Sequence, residues 1–268
     1  MKRYLIIFFT LISLNTFSQI DLDKVAKQIT EEGKKLYKLE LAAWHGSDIF
    51  RRNFKGPEQI GGYFSYIDSK TPKCLFFSRE NEPKVIGVVS FGDIQIVETA
   101  TIDFKKRDFK RFEKDIYTIR QKALNEIQQD SILFVTYSNA SLNLIPLISG
   151  GEKKVYVLTG PKNPGVILFG NDYLLTFDKN DNLSKKEKLH KNLIPIEFDI
   201  NNPKEVGAVH SHSSESSEFI TPTDICTLLL YAKFAGWEQH VVMSERYVSI
   251  WDCEKESLKI MTSEDYEK

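Results

Sequence analysis

Gly207-Ala208-Val209-His210-Ser211-His212 is an apolar run that ends in a histidine pair, and after a Ser/Glu-rich loop Ile220-Thr221-Pro222-Thr223-Asp224 follows it. No other part of the chain gathers so many metal-competent groups so closely. Residues two apart on a strand project to one side, so Val206, Ala208, His210 and His212 share a face. Two neutral imidazoles at that spacing converge on one ion, and a borderline-soft metal such as zinc suits them. Asp224, on the helix that follows, is the candidate third ligand. A water in the fourth position would make the site catalytic rather than structural in type. The helix start also has an account without metal. Thr221 at the N-cap, Pro222 at the first helical position and Asp224 at N3 form a capping sequence. The histidine pair has no such excuse.

This stretch resembles the JAB/MPN metallopeptidases, whose JAMM motif reads His-x-His, a short loop, then Ser-x-x-Asp opening a helix, with a glutamate upstream. His210 and His212 match the histidine pair, Asp224 matches the aspartate, and Thr221 stands where the serine belongs. The resemblance covers residues 154–261. It implies zinc held by His210, His212 and Asp224, an oxyanion contact from Thr221, and a glutamate acting as general base. Implied too is hydrolysis of a peptide or isopeptide amide in a peptide or protein substrate.

The departures are specific. Ser213 replaces the usual proline, the loop is one residue longer than the common spacing, and the hydroxyl residue is threonine. By order along the chain the best-placed glutamate is Glu152, in the turn Gly150-Gly151-Glu152-Lys153-Lys154 where an exposed acid is ordinary; Glu197 is a weaker rival. These departures support a second reading, a non-catalytic JAB/MPN-like module that binds an envelope or extracellular protein. His190 is either a fourth ligand or an exposed residue behind a charge run, and His240 a core or edge residue. Asp172 and Tyr173 either line the same cleft or sit in a turn or bulge.

The elements that position these residues read as α+β. Residues 21–43 have helical apolar spacing, and Gly61-Gly62 marks a change of period. Short β-rich runs over 62–67, 74–78, 85–91 and 94–102, joined by turn residues, read as an antiparallel meander. A second helix spans 109–128, with Phe112, Ile116, Ile119, Ala123 and Ile127 on one core-facing stripe. Strands follow over 132–137, 142–149, 155–160, 165–178, 194–198 and 206–212, with residues 185–191 as a solvated charge run. A helix over 224–235 stops at Gly236, and strands over 240–243, 247–251 and 258–261 close the chain. The organisation expected is a leader (1–18), an N-terminal helix-and-meander region (19–130) and a JAB/MPN-like, deaminase-like sheet-and-helix domain (131–268).

Composition narrows the partners. The net charge is −1 with both signs interspersed, which gives no basic stripe for nucleic acid. Lys2 and Arg3 precede an apolar run from Tyr4 to Leu14 that is too short to span a bilayer, and Thr16 and Ser18 suit a signal peptidase. This points to an exported chain, periplasmic or extracellular, with no stable membrane span after processing. Of the three cysteines, Cys226 and Cys253 are the pair to test for a disulfide, against both remaining free.

Overall fold

The computed structural model describes residues 20–199, 206–213 and 216–268, so the leader expected over residues 1–18 lies outside them. The architecture is α+β with mainly antiparallel sheets. Helix α1 (Leu22–Asn53) opens on Asp21, whose side chain accepts from the Lys24 N–H at 3.0 Å. It runs on to Asn53 rather than stopping near Ala43 because packing extends it. Gly46 lies so close to Cys74 that an added Cβ would sit 2.4 Å from the Cys74 Cβ, and Phe50 stacks on Phe76 with centroids 3.9 Å apart.

The meander forms in sequence order: β1 (Ile60–Asp68), β2 (Thr71–Ser78), β3 (Val85–Ser90) and β4 (Thr101–Asp103). The fourth strand is shorter than the 94–102 run suggests. Thr99 Oγ1 donates to the Asp93 and Ile96 carbonyls and winds residues 97–99 into a single 3-10 turn. Helix α2 (Arg111–Gln129) buries Ile116, Ile119 and Ala123 as its stripe requires, while Phe112 stays largely exposed. The strand expected over 132–137 is instead a turn. The Val135 N–H donates to the Tyr173 hydroxyl and its carbonyl accepts from Asn171 Nδ2, so side chains take the place of a neighbouring strand.

Beyond it come β5 (Ala140–Ser149), β6 (Glu152–Pro161), β7 (Val166–Gly170), β8 (Tyr173–Phe177), β9 (Leu183–Lys188) and β10 (Leu193–Glu197). The single segment expected over 165–178 is two strands in two sheets. Gly170 and Asn171 take φ of 80° and 55°, and this left-handed corner sends β7 to β10 and β8 to β6. Much of the charge run is β9, the lysine-rich edge of the β5-β6-β8-β9 sheet. The last unit is β11 (Gly207–Ser211), α3 (Pro222–Ala235), β12 (Gln239–Met243), β13 (Tyr247–Asp252) and β14 (Ser257–Thr262), closed by the short α4 (Ser263–Tyr266).

One apolar core joins Leu36, Leu39 and Phe50 of α1 with Phe76, Ile145, Tyr156 and Leu230 of α3, so it is continuous across residue 130. A second core holds the sheet that carries the histidines, through Phe169, Ile225, Leu228, Val242 and Trp251. All three cysteines are free: Cys226 belongs to the first core and Cys253 packs at the margin of the second. The Cys226–Cys253 disulfide therefore does not form. Among the described residues no helix is long and apolar enough to cross a membrane.

Candidate metal centre

β11 and β12 pair in parallel, with α3 as the crossover between them. The alternation of β11 turns His210 and His212 inward, 5 % and 7 % exposed, and leaves Val209 outside at 60 %. Helix α3 begins just after that strand, with Thr221 as its N-cap. Its Asp224 carboxylate does two jobs. Oδ2 accepts from the Thr221 N–H at 2.8 Å and the Thr221 hydroxyl at 2.8 Å, which completes the capping box. Oδ1 is buried without a hydrogen-bond partner and is left for the histidines.

Three imidazoles meet that carboxylate. His210 Nε2 and His212 Nε2 lie 3.2 Å apart, and stand 4.0 Å and 3.8 Å from Asp224 oxygens. His190, just past β9, brings its Nε2 to 3.0 Å from Asp224 Oδ1 and 3.2 Å from Oδ2, with hydrogen-bonding geometry only to Oδ2. One ligand atom from each of the four residues lies within 4.8 Å of the others. A tetrahedral zinc with bonds of about 2.0–2.1 Å puts its ligand atoms roughly 3.3 Å apart. The observed separations bracket that value, so the donor set fits such an ion.

Two of the three outer ring atoms are held from behind. His190 Nδ1 is buried without a hydrogen bond, 3.8 Å from Asp172 Oδ2, but His210 Nδ1 is 2.9 Å from His240 Nε2 and His212 Nδ1 donates to the Ser217 carbonyl at 2.8 Å. This is the arrangement that fixes tautomer and ring orientation in metal-ligating histidines. The Ser217 bond requires a proton on His212 Nδ1, so the neutral ring aims its Nε2 lone pair at a carboxylate and at another imidazole. A proton on His210 Nε2, 3.2 Å away, or a cation between them satisfies that lone pair.

Burial disfavours charge on these rings. It pushes His210 down to about 4 and His240 to about 3, and it lowers His212 as well. Burial opposes protonation of His190 too, but Asp224 and Asp172 outweigh it and raise this ring alone. Burial likewise opposes charge on Asp224, yet His190 chiefly, then His210 and His212, hold it well below the ordinary range. Asp172 is pushed up to about 7 by burial, although the Thr159 N–H donates to its Oδ1 at 2.7 Å.

A cleft of about 450 Å³ opens over the cluster, bordered by His190, His210, His212, Lys191, Asn192 and Ser213. Neither candidate base is in it. Glu152 lies at the exposed start of β6 and pairs with Lys154 at 2.9 Å. Thr159, which contacts Asp172, is seven residues further along that strand, about 23 Å away. Glu197 ends β10 opposite Val166, whereas the His190 side of that ribbon is the Leu193–Gly170 end. Among the described residues that line the cleft, none is an aspartate or glutamate. The Thr221 hydroxyl is engaged with Asp224 and Thr223, and Thr221 does not border the cleft.

His210, His212 and Asp224 therefore come together as their spacing suggests, and His190 joins them. His190, one of two alternatives from its residue type alone, is the fourth ligand candidate. Its position depends on the Leu189 N–H bonding to the Asp172 carbonyl at 2.8 Å, which carries the β8–β9 pairing one step past both strands. Comparison with known proteins returned no matching family model, no similar curated protein and no similar solved structure.

Proposed function

We propose that this chain is an exported zinc-dependent hydrolase of peptide or isopeptide bonds, of the JAB/MPN type. The observation that carries the reading is the convergence of three imidazole Nε2 atoms and the Asp224 carboxylate beneath an open cleft. Support comes also from the placement of the histidine pair on β11 and the aspartate on the first turn of α3, the order of the family's motif. Nitrogen and carboxylate donors in a compact, four-group set favour zinc over magnesium or calcium.

A bound zinc ion would supply Lewis-acid polarisation of a scissile carbonyl and of water. His210, His212 and Asp224 would hold it. His240, Ser217 and Thr221 orient those three groups from behind. His190 Nε2 lies 3.2 Å from Asp224 Oδ2 and is the atom placed to hold a proton beside the ion. Lys191, Asn192 and Ser213 border the space in which a peptide backbone would lie. An exported chain suits an extracellular or cell-wall peptide better than a ubiquitin-type substrate.

A specific observation favours the non-catalytic module as second reading. Four protein groups fill a tetrahedral ion, and the described cleft wall offers no carboxylate base. One experiment separates the two. Zinc content and cleavage of fluorogenic peptide and isopeptide substrates are measured for the parent, His210→Ala, Asp224→Ala and His190→Ala. About one equivalent of zinc, lost with His210 or Asp224 together with cleavage, supports the hydrolase. Zinc without cleavage supports the module. A parent that holds no zinc, with variants that behave identically, removes the metal from both readings.

A further inference from the structure

A second cavity, of about 580 Å³, lies between α1, β1, β5 and the loop from β6 to β7. It shares no residue with the histidine cleft. The β7–β10 ribbon separates them, since Val166 borders this cavity and Gly170, four residues on and about 13 Å away, packs beside His190. Its volume falls in the range of small-ligand sites.

Two ionisable groups in its wall, both half-buried, lack counter-ions among the described residues. Arg120 of α2 has no acidic partner among the described residues, and its Nε is buried without a hydrogen-bond acceptor. Glu40 of α1 takes one hydrogen bond, from Asn143 Nδ2 at 2.6 Å, and no cation stands beside it among the described residues. Glu40, Tyr63 and Arg120 all line this one cavity, and Glu40 and Arg120 do not pair with each other. Groups half-buried without a counter-ion lose hydration, and a ligand of opposite charge compensates that loss.

The chemistry of that ligand follows from the pair. The planar guanidinium fork matches a carboxylate bidentately. Glu40 in the same space disfavours a dianionic phosphate and favours a ligand that also carries an amine. Trp44 and Phe234, 47 % and 55 % exposed, stand at the wall with apolar faces for a side chain. We propose that this cavity binds an amino-acid zwitterion, either a free amino acid or a short peptide, with its carboxylate on Arg120 and its amine on Glu40. The site does not depend on the metal reading.

The test is calorimetric titration of the full mature chain with L-phenylalanine, alanyl-phenylalanine, dialanyl-phenylalanine and the C-terminal amide of each. The expected result is binding of at least one acid, with its amide about tenfold or more weaker. Which acid binds most tightly tells the free amino acid from the peptide. Arg120→Gln abolishes the preference for acid over amide, Phe234→Ala weakens binding, and His210→Ala leaves it unchanged. Phe234 is exposed, so that variant keeps the test open where Arg120→Gln fails to fold. Acids and amides that bind alike, no binding by any of the six, or binding indifferent to Arg120 and Phe234 overturns the proposal.

Discussion

The Nδ1 atom of His210 lies 2.9 Å from the Nε2 atom of His240, so a ring that faces Asp224 is held by a second ring buried behind it. His240 stacks on Phe169 at 4.6 Å and on Trp237 at 5.6 Å, and its own Nδ1 has no partner. Replacing it by phenylalanine therefore keeps the stack and removes only the brace. His240→Phe is expected to fold with an unchanged melting temperature when metal-free, and to bind zinc about 10–100-fold more weakly. Competition against a chromogenic chelator measures this. Equal affinity in parent and variant would mean that His210 needs no such support.

The pair of histidines was legible because a strand's period of two puts both on one face, and the helix start was legible from its capping residues. His190 as a fourth ligand and Asp172 beside the cleft were legible only as alternatives to an exposed residue and a turn. They meet only because Gly170 and Asn171 turn the chain between β7 and β8, and because β9 then returns along β8 to place His190 beside Asp172. Gly170-Asn171-Asp172 interrupts the apolar runs 166–169 and 173–177, and such a signal fits a bulge within one strand as well as a corner between two. The opposite failure occurred at 132–137, where β-rich residues bond to the side chains of Asn171 and Tyr173. Local pattern reports faces and caps. It does not report which distant side chain satisfies a backbone group.

The helix that precedes the meander is also part of the site's support. Gly33 of α1 lies against α3, where an added Cβ would stand 2.5 Å from the Ile225 Cβ and 3.1 Å from the Pro222 carbonyl oxygen. Ile225 and Pro222 flank Asp224, so displacing them moves the carboxylate. Gly33→Ala is expected to lower stability by about 1–3 kcal/mol, the usual cost of overpacking, despite alanine's better helix propensity. Zinc affinity should fall with it. A variant with a raised melting point and intact zinc binding would show that α1 and α3 are not packed this closely.

Glu113, buried at the first turn of α2, accepts from Tyr66 at 2.8 Å, from both terminal nitrogens of Arg107 at 2.7 Å and 2.8 Å, and from the Lys110 N–H. Burial opposes its charge, but Arg107 above all holds the pKa below the ordinary value. A carboxylate lowered in the folded state contributes stability above its unfolded pKa and loses it as pH falls through the folded one. Glu113→Ala strands Arg107 and should cost about 3–5 kcal/mol near neutral pH. That deficit should shrink as pH falls from the unfolded carboxyl's pKa of about 4.3 down through the lower folded one. Urea titrations at several pH values give both numbers, and a deficit independent of pH would assign the loss to packing alone.

Glu40 should act with the opposite sign. Burial pushes its carboxyl up to about 7, and the Asn143 hydrogen bond only partly offsets it. Between an unfolded pKa of about 4.3 and the folded value, the native chain binds the extra proton, so stability falls as pH rises through that window. The fall should end once the carboxyl is charged in both states. Glu40→Gln cannot titrate, so its stability should match the parent near pH 4 and exceed it above pH 7. An amine seated beside Glu40 would favour the charged form, so a bound zwitterion should flatten the parent's slope and release protons on binding. Denaturation curves of parent and variant that run parallel across the window would show that Glu40 is already solvated, and would remove it from the cavity's chemistry.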